Sequence, residues 1–294
     1  AGHGQSDHRR DGYAVVDFAV DALLVADALG WTSFSLLGHS LGGGAAAIAA
    51  GAQPERIRRL VMLDIVGPQT GEPSEAPDAL AKSVAWCLQR NTNQREAGQE
   101  RKVFASISEA AQRRSERNIG KPLPLHSAGL LASRGMTPAP SGEAGWMWST
   151  DEALLMPSRQ HLSEASVHAY FRRISCPTLV ILSGDGVFER LLRCGRRPDS
   201  EPGNHAGFGL THPLARPYGA WLCLLWTLFR VAGGALRLVP HNRARAAADI
   251  LWSWAKSVKL GISIGSRLRN LRELQYEQLA VGGHHMHMSR PQDV

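Results

Sequence analysis

The chain is predicted to fold as an α/β protein, a parallel sheet flanked by helices, and three observations predict it. Short apolar runs of strand length alternate with stretches of helical pattern. A glycine-rich turn feeds a helix made almost wholly of small residues. The 294 residues, 44% hydrophobic and 20% charged, are enough to bury a sizeable core in one large or two small domains.

Each element can be justified in order. Residues Tyr13 to Leu29 place Val16, Val20, Leu23 and Leu24 around Asp17, Asp21 and Asp27, the pattern of an amphipathic helix closed by Gly30. Ser33 to Leu37 reads as a buried strand. Gly38 to Gly44 and Ala45 to Gly51 read as a sharp turn and a tightly packed helix, which Pro54 and Glu55 end. Arg59 to Ile65 is a second apolar strand. Two strands separated by a helix imply a right-handed crossover and a parallel sheet, with functional residues at the strands' carboxyl ends.

Pro68 to Arg173 is richer in Gln, Arg, Ser and Glu and is interrupted by Pro and Gly near Gly120 to Pro124 and Gly135 to Gly142, as in a helical insertion. Strands resume at Pro177 to Leu182 and at Gln275 to Val281. The expected organisation is therefore a core part at 1–67, a helical insertion at 68–173, core continuations at 174–190 and 265–294, and an atypical basic insertion at 191–264.

That last segment carries the charge. Val187 to Asn270 holds thirteen Lys and Arg against four Asp and Glu, so it contributes +9 to a net charge of +7. No base-stacking or groove-entering element accompanies these charges, which argues against a nucleic-acid partner. The apolar run Ala220 to Phe229 spans about ten residues, whereas a membrane-crossing helix needs about twenty. Stable membrane insertion is not expected. The four cysteines, Cys87, Cys176, Cys194 and Cys223, lack CxxC spacing, which suits a reducing, cytoplasmic compartment better than a disulfide framework or zinc site. The first residues show no signal-peptide pattern, and secretion is unsupported.

Gly38-His39-Ser40-Leu41-Gly42 is the pattern G-x-S-x-G between a strand and a helix. A nucleophile exposed on such a bend needs glycines on both sides, because side chains would clash with strand and helix; Gly38 and Gly42 fill those positions, with His39 between. The Leu41 N–H, at the helix start, is the donor placed for an oxyanion. No Lys-Ser/Thr ending follows, which sets aside a phosphate-binding loop. A serine hydroxyl is a weak nucleophile until a base takes its proton. His284, following Gly282-Gly283 after the last strand, is the candidate base, with His285 and His287 as its rivals. The alternative is a surface or metal-binding histidine tract, for which only Asp293 is near as an acidic partner. The acid that orients the imidazole is Asp64 or Asp185, each following a strand end, and the sequence does not choose between them. Trp86, Trp146, Met147 and Trp148 suggest an apolar lid, or simple packing.

The stretches Gly2-His3-Gly4-Gln5-Ser6, Phe34 to Gly43, Pro54 to Asp64, Cys176 to Asp185 and Gly283 to Val294 together resemble the α/β-hydrolase family, and within it the serine hydrolase-like proteins. The resemblance covers about Ala1 to Phe188 and Arg267 to Val294. It implies an α/β-hydrolase fold in which Pro68 to Arg173 is a cap domain, His284 is the base and a small-molecule ester, thioester or amide is cleaved without metal or organic cofactor. It also implies departures. The position of the usual acid is Val187, strands that precede Gly2 in the family are not in this chain, and a second oxyanion donor goes with them. An incomplete sheet would expose an edge, and weak activity or a role as an inactive interaction module follows as an expectation.

Overall fold

The computed structural model describes residues 1–10, 12–97, 102–117, 122–140, 144–184, 263–279 and 285–289. Residues 191–262 of the atypical segment 191–264, including Ala220 to Phe229, lie outside them, as do Asp185, Val187, His284 and Asp293.

Four parallel strands form the main sheet: β1 (Phe34–His39), β2 (Ile57–Leu63), β5 (Thr178–Ser183) and β6 (Leu274–Leu279), in the order β1-β2-β5-β6. All four overlap the segments predicted as strands. Their registers are continuous at the carboxyl ends, with His39 opposite Leu63, Leu63 opposite Ile181, and Ser183 opposite Leu279. Helix α1 (Val15–Ala28) precedes β1, and α2 (Leu41–Ala52) makes the crossover from β1 to β2. The two central strands are the most enclosed, with Leu60, Met62, Val180 and Leu182 fully buried.

Two expectations are corrected at the outer flank. β1 is not a buried strand. Among the described residues it pairs only with β2, and Leu37 is 66% exposed. On α1 the stripe Val20 and Leu24 faces outward, at 50% and 58% exposure, and the helix packs on α2 through Ala19 with Val15, Val16, Phe18 and Leu23. Charged pairs brace this flank: Asp21 is paired with Arg9, and Asp27, itself 57% exposed, with Arg56 at 2.6 Å.

The segment 68–173 contains α3 (Ala76–Ala97), α4 (Ile107–Glu116) and α5 (Leu125–Gly135) as its pattern predicts. It also holds an antiparallel pair that the pattern did not show, β3 (Met136–Pro138) with β4 (Trp146–Trp148). Trp148 packs against the α4–α5 cluster of Ala111, Leu123, Ala128 and Ala132. Helix α6 (Glu164–Arg173) lies against α2, so closely that a Cβ on Gly51 would stand 2.5 Å from the Tyr170 carbonyl oxygen.

Candidate functional site

β1 ends at His39 and α2 begins at Leu41, leaving one residue to turn the chain. That residue, Ser40, has φ 51° and ψ −123°, a conformation that side chains strongly disfavour. Three backbone hydrogen bonds hold it there: Ser40 N–H to the Leu63 carbonyl at 3.0 Å, and Gly43 and Gly44 N–H to the Ser40 carbonyl at 2.9 and 3.1 Å. The Ser40 hydroxyl does not cap α2, so the commonest structural use of a serine before a helix is not the one made here.

The glycines explain how the turn closes, with one correction. A Cβ on Gly38 would collide with the Gly42 carbonyl and come within 2.5 Å of Gly43 N. Gly42, expected to be crowded as well, has open space where its Cβ would stand. The crowded partner is Gly43, whose Cβ would overlap the Ile65 side chain and lie 2.8 Å from the Gly38 carbonyl oxygen. Strand and helix approach through Gly38 and Gly43, one residue beyond the pattern's last glycine.

Asp64 is the neighbour of Ser40 at the carboxyl end of β2, one residue past the His39–Leu63 pair. It is fully buried and has φ 47°. Among the described residues, Ser40 and Asp64 are the only non-glycine residues with positive φ. Such conformations persist only where surroundings impose them, and they gather at functional sites. Asp64 N–H donates to the Ile181 carbonyl at 2.8 Å, and its carboxylate accepts the Ser183 N–H at 3.2 Å. Its rival Asp185 lies outside the described residues, so the two acids are not compared by geometry.

The histidine segment after β6 comes to the same corner. His284 lies outside the described residues, but the rings of His285 and His287 stand 4.9 Å and 4.3 Å from the His39 ring, centroid to centroid. One ring nitrogen from each of the three lies within 4.8 Å of the others, an arrangement able to hold a metal ion. The segment is pinned from its other side, where the Ser127 hydroxyl donates to the Met288 carbonyl at 2.8 Å and Met288 packs against the α4–α5 cluster. Leu41 is the first residue of α2, where an amide has no acceptor within its own helix, so its N–H is available to a negative charge developing at Ser40.

Two supporting residues escaped the sequence reading. Arg267, on the helical residues 263–269, is 2% exposed. Its guanidinium donates to both Glu164 carboxylate oxygens at 2.8 and 2.6 Å and to the Val66 and Pro68 carbonyls at 2.8 and 2.9 Å, tying α6 to the loop that follows Asp64. Asp151 anchors the amino-terminal loop, accepting the Tyr13 hydroxyl at 2.7 Å. Burial opposes its charged form, yet the Ala153 N–H, the Tyr13 hydroxyl and the charges of His8 and Arg90 together hold its pKa below the ordinary carboxylate value. Burial is also the main reason that the Tyr13 pKa is raised. Neither residue sits in a sequence pattern that marks such a role; only the fold brings its partners together.

Comparison with known proteins agrees with this architecture. The chain is 28% identical over 195 residues to a serine hydrolase-like protein of Dictyostelium discoideum, covering 61% of this chain and 49% of that protein. It is 26% identical to a serine hydrolase-like protein of Danio rerio, covering 64% and 56%. The chain thus spans about half the length of the curated relatives it matches. Among solved structures, a hypothetical protein from Pseudomonas aeruginosa PAO1 superposes with a TM-score of 0.62 at 29% identity, over 99% of this chain and 75% of that one. A thioesterase domain from the curacin biosynthetic pathway, 16% identical with a TM-score of 0.59, shares the fold. The family model described as alpha/beta hydrolase fold matches residues 1–189, so the chain belongs to the α/β-hydrolase family.

Proposed function

We propose that the chain carries the reactive centre of a serine hydrolase, cleaving an ester, thioester or amide of a small apolar substrate through an acyl-enzyme on Ser40. The observation that carries this reading is the turn itself: a strained serine, not spent on helix capping, at the junction of β1 and α2, with the histidine segment beside it. The bend is then a nucleophile elbow. A base on that segment, His284 as the family spacing implies, takes the Ser40 proton as the oxygen attacks the carbonyl carbon. The Leu41 N–H and the positive end of α2 stabilise the tetrahedral oxyanion. Collapse expels the alcohol, thiol or amine with that proton, and the same base then activates a water that releases the acid. Asp64, beside Ser40 and buried, or Asp185 orients the imidazole.

Segment 68–173 is the cap that shapes substrate access in this reading, and the cysteine pattern supports a cytoplasmic setting. Among the described residues, no helix is long and apolar enough to cross a membrane.

Labelling with a fluorophosphonate probe tests the proposal. Covalent labelling is expected, with complete loss in Ser40→Ala. A folded chain that is never labelled, or that is labelled equally after Ser40→Ala, would overturn it. A second reading, an inactive interaction module of the same fold, is favoured by the exposed position of β1, which among the described residues pairs only with β2. Labelling of Ser40 would rule it out.

A further inference from the structure

One base is all that Ser40 chemistry asks of the histidine segment, yet three imidazoles that the described residues bring together meet beside it, from opposite ends of the chain. We propose that His39, His285 and His287 form a binding site for a divalent transition-metal ion of the Zn²⁺ class. One ring nitrogen from each lies within 4.8 Å of the other two. A tetrahedral zinc ion with Zn–N bonds of about 2.0–2.1 Å sets its ligand nitrogens about 3.3 Å apart, so modest side-chain rotations bring the set into range.

The rings are mutually inclined, at 42° and 49° to His39 and 55° to each other, rather than laid flat in a stack. All three are half-buried, open enough for an ion and a fourth, exchangeable ligand to enter. Imidazole nitrogens choose the metal. They suit Zn²⁺, Cu²⁺ and Ni²⁺, whereas Mg²⁺ and Ca²⁺ want oxygen ligands, which this set of three does not supply.

Both halves of the site are positioned by contacts that do not involve a metal. His39 is fixed in the β1 ladder opposite Leu63, and the His285–His287 turn is tied down through Met288 by the Ser127 hydroxyl and the α4–α5 cluster. Little ordering is left for binding to pay for. The sequence conceals the site because two of its ligands look like a tail tract and the third belongs to the elbow.

Cobalt titration of the tag-free chain, read by the visible absorption of the bound ion and followed by displacement with Zn²⁺, tests this without reference to hydrolysis. One equivalent is expected, with affinity lowered by about tenfold or more in both His39→Gln and His287→Gln and unchanged in His126→Gln, a histidine on α5 outside the cluster. Should a variant fold poorly, the thermal midpoint gives a second readout: it should rise with Zn²⁺ for the parent chain and stay constant for the other variant. Absence of saturable binding would overturn the proposal. So would binding that survives His39→Gln intact, which would assign the ion to a tail tract alone.

Discussion

Helices α2 and α1 pack against each other and are both rich in apolar residues, yet they are held in opposite ways. In α2 the nine consecutive residues from Gly43 to Gly51 are buried, enclosed by β1, β2, α6 and α1. In α1 only Ala19 and Ala26 are buried, while Val20, Leu24 and Val25 face outward and the helix is secured by charges at Asp21 and Asp27. The difference shows where precision is needed. Close packing without side chains fixes Ser40 to within a methyl group, while long charged side chains hold the outer flank with more tolerance.

The largest effects should therefore fall at the inner corner. If Asp64 orients the base, Asp64→Asn should lower kcat by about 10⁴-fold with little change in KM, because an amide leaves the imidazole in the wrong tautomer while still accepting the Ser183 N–H. The same loss in Asp185→Asn, with Asp64→Asn near parent activity, would move the acid to β5. Next in size is the packing of the turn. Gly43→Ala and Gly38→Ala should each cost about 1–3 kcal/mol in urea unfolding, since neither collision can be relieved by a flexible tip. Gly42→Ala, at an open helical position, should be neutral or stabilising by up to about 1 kcal/mol. Equal costs at all three would mean that the strand and helix do not approach as closely as Gly38 and Gly43 indicate.

How much of this was legible follows from which residues carry local patterns. Strands β2 and β5 are legible because buried parallel strands are short continuous apolar runs, and Ser40 because its bend requires glycines nearby. Gly43 carries no signal of its own, since the pattern ends at Gly42 and spacing cannot tell which Cβ meets a neighbour. The outward position of Val20 and Leu24 on α1 is not legible, because periodicity reports that a helix has an apolar stripe without saying which of its residues meet a neighbour. Arg267 and His39 gained their partners only through long-range contacts, from α6 and from the residues after β6. The β3–β4 pair rests on three residues in each strand, too few for alternation to register.

A smaller effect belongs to the head of α1, where Tyr13 stacks on Phe18 and donates to Asp151. Because the Asp151 pKa is depressed, its contribution to stability is present above the ordinary carboxylate value near 3.8 and is lost as pH falls through the lower folded value. Asp151→Asn should thus be less stable than the parent by about 0.5–1.5 kcal/mol near neutral pH, with the gap closing in acid. A gap that stayed constant down to the acid transition would show that the hydrogen bond, not the charge, anchors the loop.

The smallest effect is expected at Leu37 on β1, a strand that among the described residues pairs only with β2. Replacing a side chain that is already 66% in solvent removes little buried area, so Leu37→Lys should change unfolding free energy by no more than about 0.5 kcal/mol. It should nonetheless slow aggregation, because a lysine on an open edge opposes strand addition by another chain. A loss of 2 kcal/mol or more, measured in the longest natural form of the protein, would carry a different message. Leu37 would then be covered there, and the flank that looks loosely held would be an interface as demanding of packing as the corner around Ser40.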